Sequence, residues 1–310
     1  MTDAYSPTEL MDRSSRSNRY YRNAVERHWD PGTIDLERDA EALRAFVDDA
    51  DGFGRRDLDR IVNGIAKFGA GEDAVTEDLA PLAVVLDNID DQLFLTTQLY
   101  EEAKHADFFD RYWREVVWTV EDHLGWERSS PRDERWFNEP YLDLFDRNRR
   151  AQYRLLEADT PENRAIAYCH YHLTVEGILA QTGYYGMQRS FGGEFDGLPT
   201  LPGLVEGFTK IRSDEGRHVG FGMNQLKSLV EAGEVDAALI RDTVSELLPL
   251  VQGITEDDRF LPDEPDAEPV GIEEGELAVY AMEKHEQRLT QIADASAEIP
   301  DVDELVALDG

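Results

Sequence analysis

Two Glu-x-x-His pairs stand out in the 310-residue chain: Glu102–His105 in LYEEAKHADFF and Glu215–His218 in IRSDEGRHVGF. On a helix, residues i and i+3 share a face, so each carboxylate and imidazole can reach one ion. The motif is weak evidence in a chain this rich in acid, and the context decides. Leu95, Leu99, Phe109 and Trp113 flank the first pair on one helical stripe; Leu204, Phe208, Ile211 and Gly222 flank the second. Each pair therefore interrupts a core-facing stripe, where an unpartnered carboxylate is costly. Glu176 is the single acid between Asn163 and Gly193, inside the apolar run AIAYCHYHLTVEGILAQTGYYGM. Glu72 opens a segment whose same-face residues include Val75, Thr76 and Leu79. Each has a structural alternative: a buried ion pair for the two motifs and for Glu176, a first-turn acid favoured by the helix dipole for Glu72.

Together they supply one Glu from each of two helices and Glu-x-x-His from each of two more. Four carboxylates and two imidazoles are what a di-iron or di-manganese site in a bundle core requires. Hard oxygen donors suit Fe and Mn, and four negative charges largely balance two divalent ions. Zinc fits less well, because a four-coordinate site needs fewer oxygens. Open coordination positions are left for O₂.

The elements that must hold these residues are helical. Periodicity near 3.6 dominates, and no strand-like alternation persists. The pattern predicts helices at 36–50, 57–70, 72–86, 88–123, 140–157, 162–190, 202–232, 236–253 and 274–297. Thr160 reads as an N-cap with Pro161 at the first helical position, and Pro202 opens a helix after the loop Gly192–Leu201. Residues 255–272, acidic and carrying Pro262, Pro265 and Pro269, read as a linker. The expected architecture is all-α: a ferritin-like helical bundle with long central helices and a dimetal carboxylate core. Residues 1–255 would form that domain, and 256–310 an acidic linker, terminal helix and tail.

Composition narrows the setting. Acids number 66 against 31 Lys plus Arg, for a net charge of −35. Such a surface repels nucleic acid and anionic membranes. Lysine occurs only at 67, 104, 210, 227 and 284, so arginine supplies the other bases. The balance is expected of a protein adapted to high salt, where charge is screened within about 3 Å at 1 M. No run of 18 apolar residues predicts a membrane span. The first residues lack a secretory pattern, so a cytoplasmic protein is expected. Cys169, the single cysteine, permits no internal disulfide.

The order Glu72 … Glu102-x-x-His105 … Glu176 … Glu215-x-x-His218 resembles the ribonucleotide reductase small-subunit superfamily, as does HWDPGTIDLERD at 28–39. The resemblance covers about residues 20–235. Within it, GEDAVT, FLTTQLYEEAKHADFF and YHLTVEG are most similar to the ligand-binding oxidase branch. That resemblance implies a manganese–iron site, or two irons, activating O₂. It also implies a long-chain fatty acid or other apolar ligand near the metals, a homodimer, and an ether cross-link between a tyrosine and a valine. The matching residues are Tyr171, five before Glu176, and Val75, three after Glu72.

A radical-generating reductase subunit of the manganese–iron type is the first alternative. In its favour, Trp29 and Asp214 match the superfamily's electron-transfer residues. Phe109, four after His105, carries no phenoxyl radical, but phenylalanine also occurs there in the manganese–iron reductases; against the reading, the tail DVDELVALDG has no tyrosine and the first ligand, Glu72, is glutamate where reductases commonly have aspartate. A non-enzymatic ferritin-like metal store or lipid carrier is the second alternative, and a structural bundle with buried ion pairs the third. His170, His172 and His123 read as core or supporting residues, with His172 one turn from Glu176. Arg13, Arg16, Arg19, Arg22 and Arg27 form a basic cluster, either neutralising nearby acids or meeting another subunit. Trp113, Trp118, Trp126 and Trp136 read as core or interface aromatics. An arginine near a tunnel mouth is the expected holder of a lipid carboxylate.

Overall fold

A computed structural model describes residues 11–50, 52–260, 272, 275–293 and 297–305. Among these the structure is all-helical, as the periodicity predicts, with no strand. The helices are α1 (Arg16–Glu26), α2 (Glu37–Asp49), α3 (Arg55–Asp78), α4 (Ala80–Val85), α5 (Ile89–Tyr112), α6 (Trp118–His123), α7 (Glu139–Arg154), α8 (Pro161–Tyr168), α9 (Gln181–Phe191), α10 (Pro202–Glu231), α11 (Ala237–Thr255), α12 (Glu276–Ala293) and α13 (Val302–Leu305). π-Helical turns join α5 to α6 (Trp113–Val117) and α8 to α9 (Cys169–Ala180). The linker prolines Pro262, Pro265 and Pro269 lie outside the described residues.

Three departures from the sequence reading have physical causes. The break expected near residue 71 falls at Leu79, before Pro81, and α3 runs unbroken through Gly69 and Gly71. Those glycines allow close packing: a Cβ on Gly69 would stand 3.0 Å from the Phe109 Cβ. Helix α1 has no counterpart among the expected helices, because its residues read as a charge cluster. Ser15 caps it by accepting from the Asn18 N–H, and it packs on α5 and α10. Its arginines bond within the chain: Arg16 donates to the Ile299 carbonyl at 2.9 Å, and Arg27, just past its end, pairs with Asp303 at 2.8 Å.

The third departure is the π segment carrying Glu176. Its widened turns exchange i→i+4 for i→i+5 bonds; the Gln181 N–H reaches the Glu176 carbonyl, and Thr174 Oγ1 donates to the Cys169 carbonyl at 2.8 Å. Gly177 accommodates this backbone, since a Cβ there would sit 2.7 Å from the His172 carbonyl oxygen. Helix α10 starts where Pro202 predicts. Its first N–H groups are satisfied from another helix: Asp39 of α2 accepts from Gly203 and Leu204, both at 2.7 Å. Thr160 caps α8 as expected, accepting from Asn163 N at 3.2 Å. Helices α3, α5 and α10 and the π segment enclose the interior where the acidic residues meet.

Candidate metal centre

Four stretches of helix deliver the six side chains. Glu72 comes from α3, Glu102 and His105 from α5, Glu176 from the π segment, and Glu215 and His218 from α10. All six are buried, Glu72 being the most exposed at 6%. Their donor atoms form two overlapping groups, Glu72–Glu102–His105–Glu215 and Glu102–Glu176–Glu215–His218, with the atoms of each group within 4.8 Å of one another. Glu102 and Glu215 belong to both groups, so they are the carboxylates able to bridge a pair of ions.

The two imidazoles are oriented alike. His105 turns Nδ1 inward, 3.6 Å from Glu72, 3.6 Å from Glu102 and 3.4 Å from Glu215. His218 Nδ1 lies 3.0 Å from Glu102 and 3.1 Å from both Glu176 and Glu215. Each ring's Nε2 points outward to a carboxylate, Asp214 at 3.0 Å for His105 and Glu101 at 2.9 Å for His218. With Nε2–H donating outward, each ring presents its Nδ1 lone pair to the interior, the tautomer a metal-binding histidine needs. Neighbouring donors about 3 Å apart also match the edge of an octahedron with bonds of about 2.1 Å.

Charge argues in the same direction. Outside the histidines, Glu101 and Asp214 are balanced by Lys104 and Arg217: Lys104 lies 2.8 Å from Asp214, and Arg217 bonds both acids. The four inner carboxylates have no such cation among the described residues. Burial pushes Glu72 and Glu176 well above the usual carboxylate range. For His105 burial opposes charging, yet Asp214, Glu102 and Glu72 outweigh it and raise the ring's pKa. Without ions, then, Glu72, Glu176 and His105 tend to take up protons, whereas at Glu102 burial is outweighed by the imidazoles of His218 and His105, which hold the carboxyl below its usual range. His105 Nδ1 and Glu176 Oε2 are buried with no hydrogen-bond partner. Two divalent ions would satisfy both atoms and cancel the four charges, so the residues present fit a dimetal group.

Several contributors escaped the sequence reading. Glu101, Lys104 and Arg217 lie inside the two motif segments, yet neither helical face nor spacing assigns them a role. A signal was available: Glu-Glu-Ala-Lys-His and Asp-Glu-Gly-Arg-His share an acid–Glu–small–cation–His pattern. Gln98 was missed too. It donates to Glu176 at 3.2 Å while its carbonyl oxygen meets His172 Nε2 at 3.3 Å, so His172 reaches Glu176 only through Gln98. Burial lowers His172 to about 3 and His170 to about 4, keeping both neutral. Surface His123 pairs with Asp48 at 2.8 Å. Trp113 and Trp118 both donate to the Ser129 carbonyl, at 3.2 and 2.8 Å, as structural aromatics.

A cavity of about 310 Å³ adjoins the cluster. Glu72, Glu102, Glu176 and Glu215 line one part, together with Val75 and Tyr171. Tyr171 donates to Glu102 Oε1 at 2.8 Å. Phe68, Phe145, Leu179, Met187, Ile254 and Leu277 give the rest an apolar wall. The basic residue among those lining it is Lys67, not an arginine. Lys67 pairs with Asp257 at 2.7 Å, and Arg259 holds Asp257 from the other side. Phe109 packs between Phe68 and Phe208, ring centroids 5.8 and 5.6 Å away.

No family model matches the chain. Among solved structures, an R2-like ligand-binding oxidase with aerobically reconstituted Mn/Fe cofactor is 26% identical, with a TM-score of 0.78 over 94% of this chain and 97% of that one. A point mutant of an R2-like ligand-binding oxidase with aerobically reconstituted Fe/Fe cofactor is 26% identical, with a TM-score of 0.77 over 92% and 98%. Another mutant, with anaerobically reconstituted Mn/Fe cofactor, is 26% identical, with a TM-score of 0.75 over 94% and 98%. The chain is thus a structural relative, over nearly its whole length, of the R2-like ligand-binding oxidases in the ribonucleotide reductase small-subunit superfamily.

Proposed function

We propose that the chain is an O₂-dependent dimetal oxidase. Glu72, Glu102, His105, Glu176, Glu215 and His218 would hold one manganese and one iron, or two irons, as the cofactors of its structural neighbours suggest. The observation that carries this is the inner shell: four buried carboxylates without a fixed cation, facing two imidazoles whose outer nitrogens are already engaged. When bound, the metal pair supplies the redox capacity to activate O₂ and oxidise a C–H bond.

The chain's own residues prepare the rest. Asp214 and Glu101 hold the imidazoles in one tautomer. The apolar wall excludes water and suits an aliphatic ligand such as a long-chain fatty acid. Tyr171 and Val75 both line the cavity, and the Tyr171 hydroxyl proton is directed at Glu102 Oε1, an arrangement compatible with an ether link between the two side chains. A homodimer belongs to the same proposal on family resemblance. The hydrogen-bonded path Trp29–Asp214–His105 favours the second reading, a radical-generating subunit. Glutamate as the first ligand, Glu72, where reductases commonly have aspartate, weighs against it.

Peptide mass spectrometry before and after aerobic loading with Mn and Fe tests the oxidase. Joined Val75 and Tyr171 peptides lighter by two hydrogens are expected. Two bound ions with unlinked peptides, and radical formation with an added large subunit, would favour the second reading instead.

A further inference from the structure

Trp29 lies between α1 and the short turn Pro31–Thr33, with its ring stacked on His105 at a centroid distance of 6.1 Å and an interplanar angle of 17°. Its indole Nε1–H donates to Asp214 Oδ2 at 2.8 Å, and the same oxygen meets His105 Nε2 at 3.0 Å. A continuous hydrogen-bonded path therefore runs from an oxidisable indole near the surface to the carboxylate cluster. Such a path conducts only if Trp29 can surrender an electron.

Lys104 bears on that condition. Its ammonium stands 4.7 Å from the centroid of the Trp29 ring and 2.8 Å from Asp214 Oδ2. It is held there by charge and not by a well-directed hydrogen bond. Lys104 is 5% exposed and Trp29 8%, so little water screens the pair. A cation over the face of an indole stabilises the neutral ring and opposes the positive charge left by electron loss. Arg217, at the matching place in the second motif, is engaged with Glu101 and Asp214.

We propose that Lys104 is an electrostatic guard that holds Trp29 reduced and closes the Trp29–Asp214–His105 path to electron transfer. The step it opposes is a one-electron oxidation of Trp29 by a metal-based one-electron oxidant, which is itself reduced by one electron while the Nε1 proton moves to Asp214 Oδ2. Lys104 would then separate the two functions considered above, since a radical-generating subunit needs this path open and an oxidase that keeps its oxidising power beside the cavity needs it closed.

The test needs no metal. The full-length metal-free chain is flashed with tris(bipyridine)ruthenium and a persulfate quencher, which generate a one-electron oxidant. Oxidised Trp29 peptide is quantified by mass spectrometry against the other tryptophans, with Trp29→Phe as the blank. In Lys104→Met the Trp29 yield is expected to rise roughly tenfold, while Lys104→Arg, which keeps the charge, stays near wild type. Lys104→Gln, neutral and polar, replaces the methionine variant if circular dichroism shows that variant unfolded. An unchanged Trp29 yield in the neutral variant overturns the proposal. So does an equal rise in Lys104→Arg, which would assign the effect to packing. Because no metal takes part, neither result depends on the oxidase assignment.

Discussion

Replacing Glu176 by glutamine isolates one of the four inner charges with little change of shape. The carboxamide oxygen can still accept from Gln98, as Glu176 Oε1 does at 3.2 Å. At an effective dielectric near 20, two like charges as far apart as the 4.8 Å limit of the cluster repel by ~3.5 kcal/mol. Burial lets Glu176 relieve part of this by taking a proton, so the metal-free variant should be more stable than wild type by about 1–3 kcal/mol. With metals the sign reverses. Losing one ligand should weaken one ion at least ~100-fold, forfeiting about 2.7 kcal/mol of ligand-induced stabilisation at matched free metal. For a chain of this size each kcal/mol shifts the melting temperature by about 2 °C. Calorimetry on metal-free and Mn/Fe-loaded protein should therefore show the curves of wild type and variant crossing, with elemental analysis falling from two ions per chain towards one. A purely structural buried ion-pair network gives no crossing: Glu176→Gln would destabilise the chain in both conditions. That outcome, or two ions retained with an undiminished shift, refutes the reasoning.

Other expectations follow from single contacts. Glu101→Gln removes the anionic partner of His218 Nε2 and should weaken metal affinity about 10–100-fold in a competition titration with a chelator. Tyr171→Phe should abolish the cross-linked peptide while elemental analysis still finds two ions per chain, since the hydroxyl contacts Glu102 and is not in either donor group. Gly222→Ala would place a Cβ 2.2 Å from the His172 Cβ, in the packed interface of α10 and the π segment, and should cost about 3 kcal/mol in chemical denaturation. Asp78, raised by burial to about 6, is ionised at a cost in the fold above that pH but not below about 4, where the unfolded chain also binds the proton. Asp78→Asn should then stabilise the protein at pH 7–8 by about 1 kcal/mol, an effect held down by Arg149 at 3.8 Å and by solvent, and the gain should fade between pH 6 and 4.

The helices were legible wherever an apolar stripe repeats at 3.6 and a cap marks the end, as at Thr160–Pro161 and Pro202. They were illegible where the local signal had another cause. Gly69 and Gly71 resemble punctuation, yet they serve the approach of α5 and α7, and only the tertiary neighbours Phe109, Tyr141 and Phe145 reveal that. Helix α1 lacks a strong apolar stripe and is stabilised by packing on α5 and α10, which propensity does not register. The π segment is invisible to any periodicity of 3.6. Gly177, whose missing Cβ leaves room for the His172 carbonyl, is its one local trace, and a glycine inside a helix can equally mark a cap, a kink or a close helix crossing.

The site was legible for a reason tied to composition. In a chain with 66 acids, the informative ones are those in apolar company, and Glu176 stands out because its neighbours are not acidic. The converse hid Glu101. Beside Glu102 it looks like surface charge, and the 3.6 period does not say that a second helix will bring His218 against it. What separates the two adjacent glutamates is their partners. Glu101 meets Arg217 as well as His218, whereas Glu102 meets imidazoles, a phenol and other carboxylates. The outer acids are neutralised by side chains the protein encodes. Among the described residues no such side chain meets the inner acids, and burying them ionised and unbalanced would be prohibitive. A missing countercharge of up to four units, at a site enclosed by four helical segments, is the physical requirement that two divalent ions would meet.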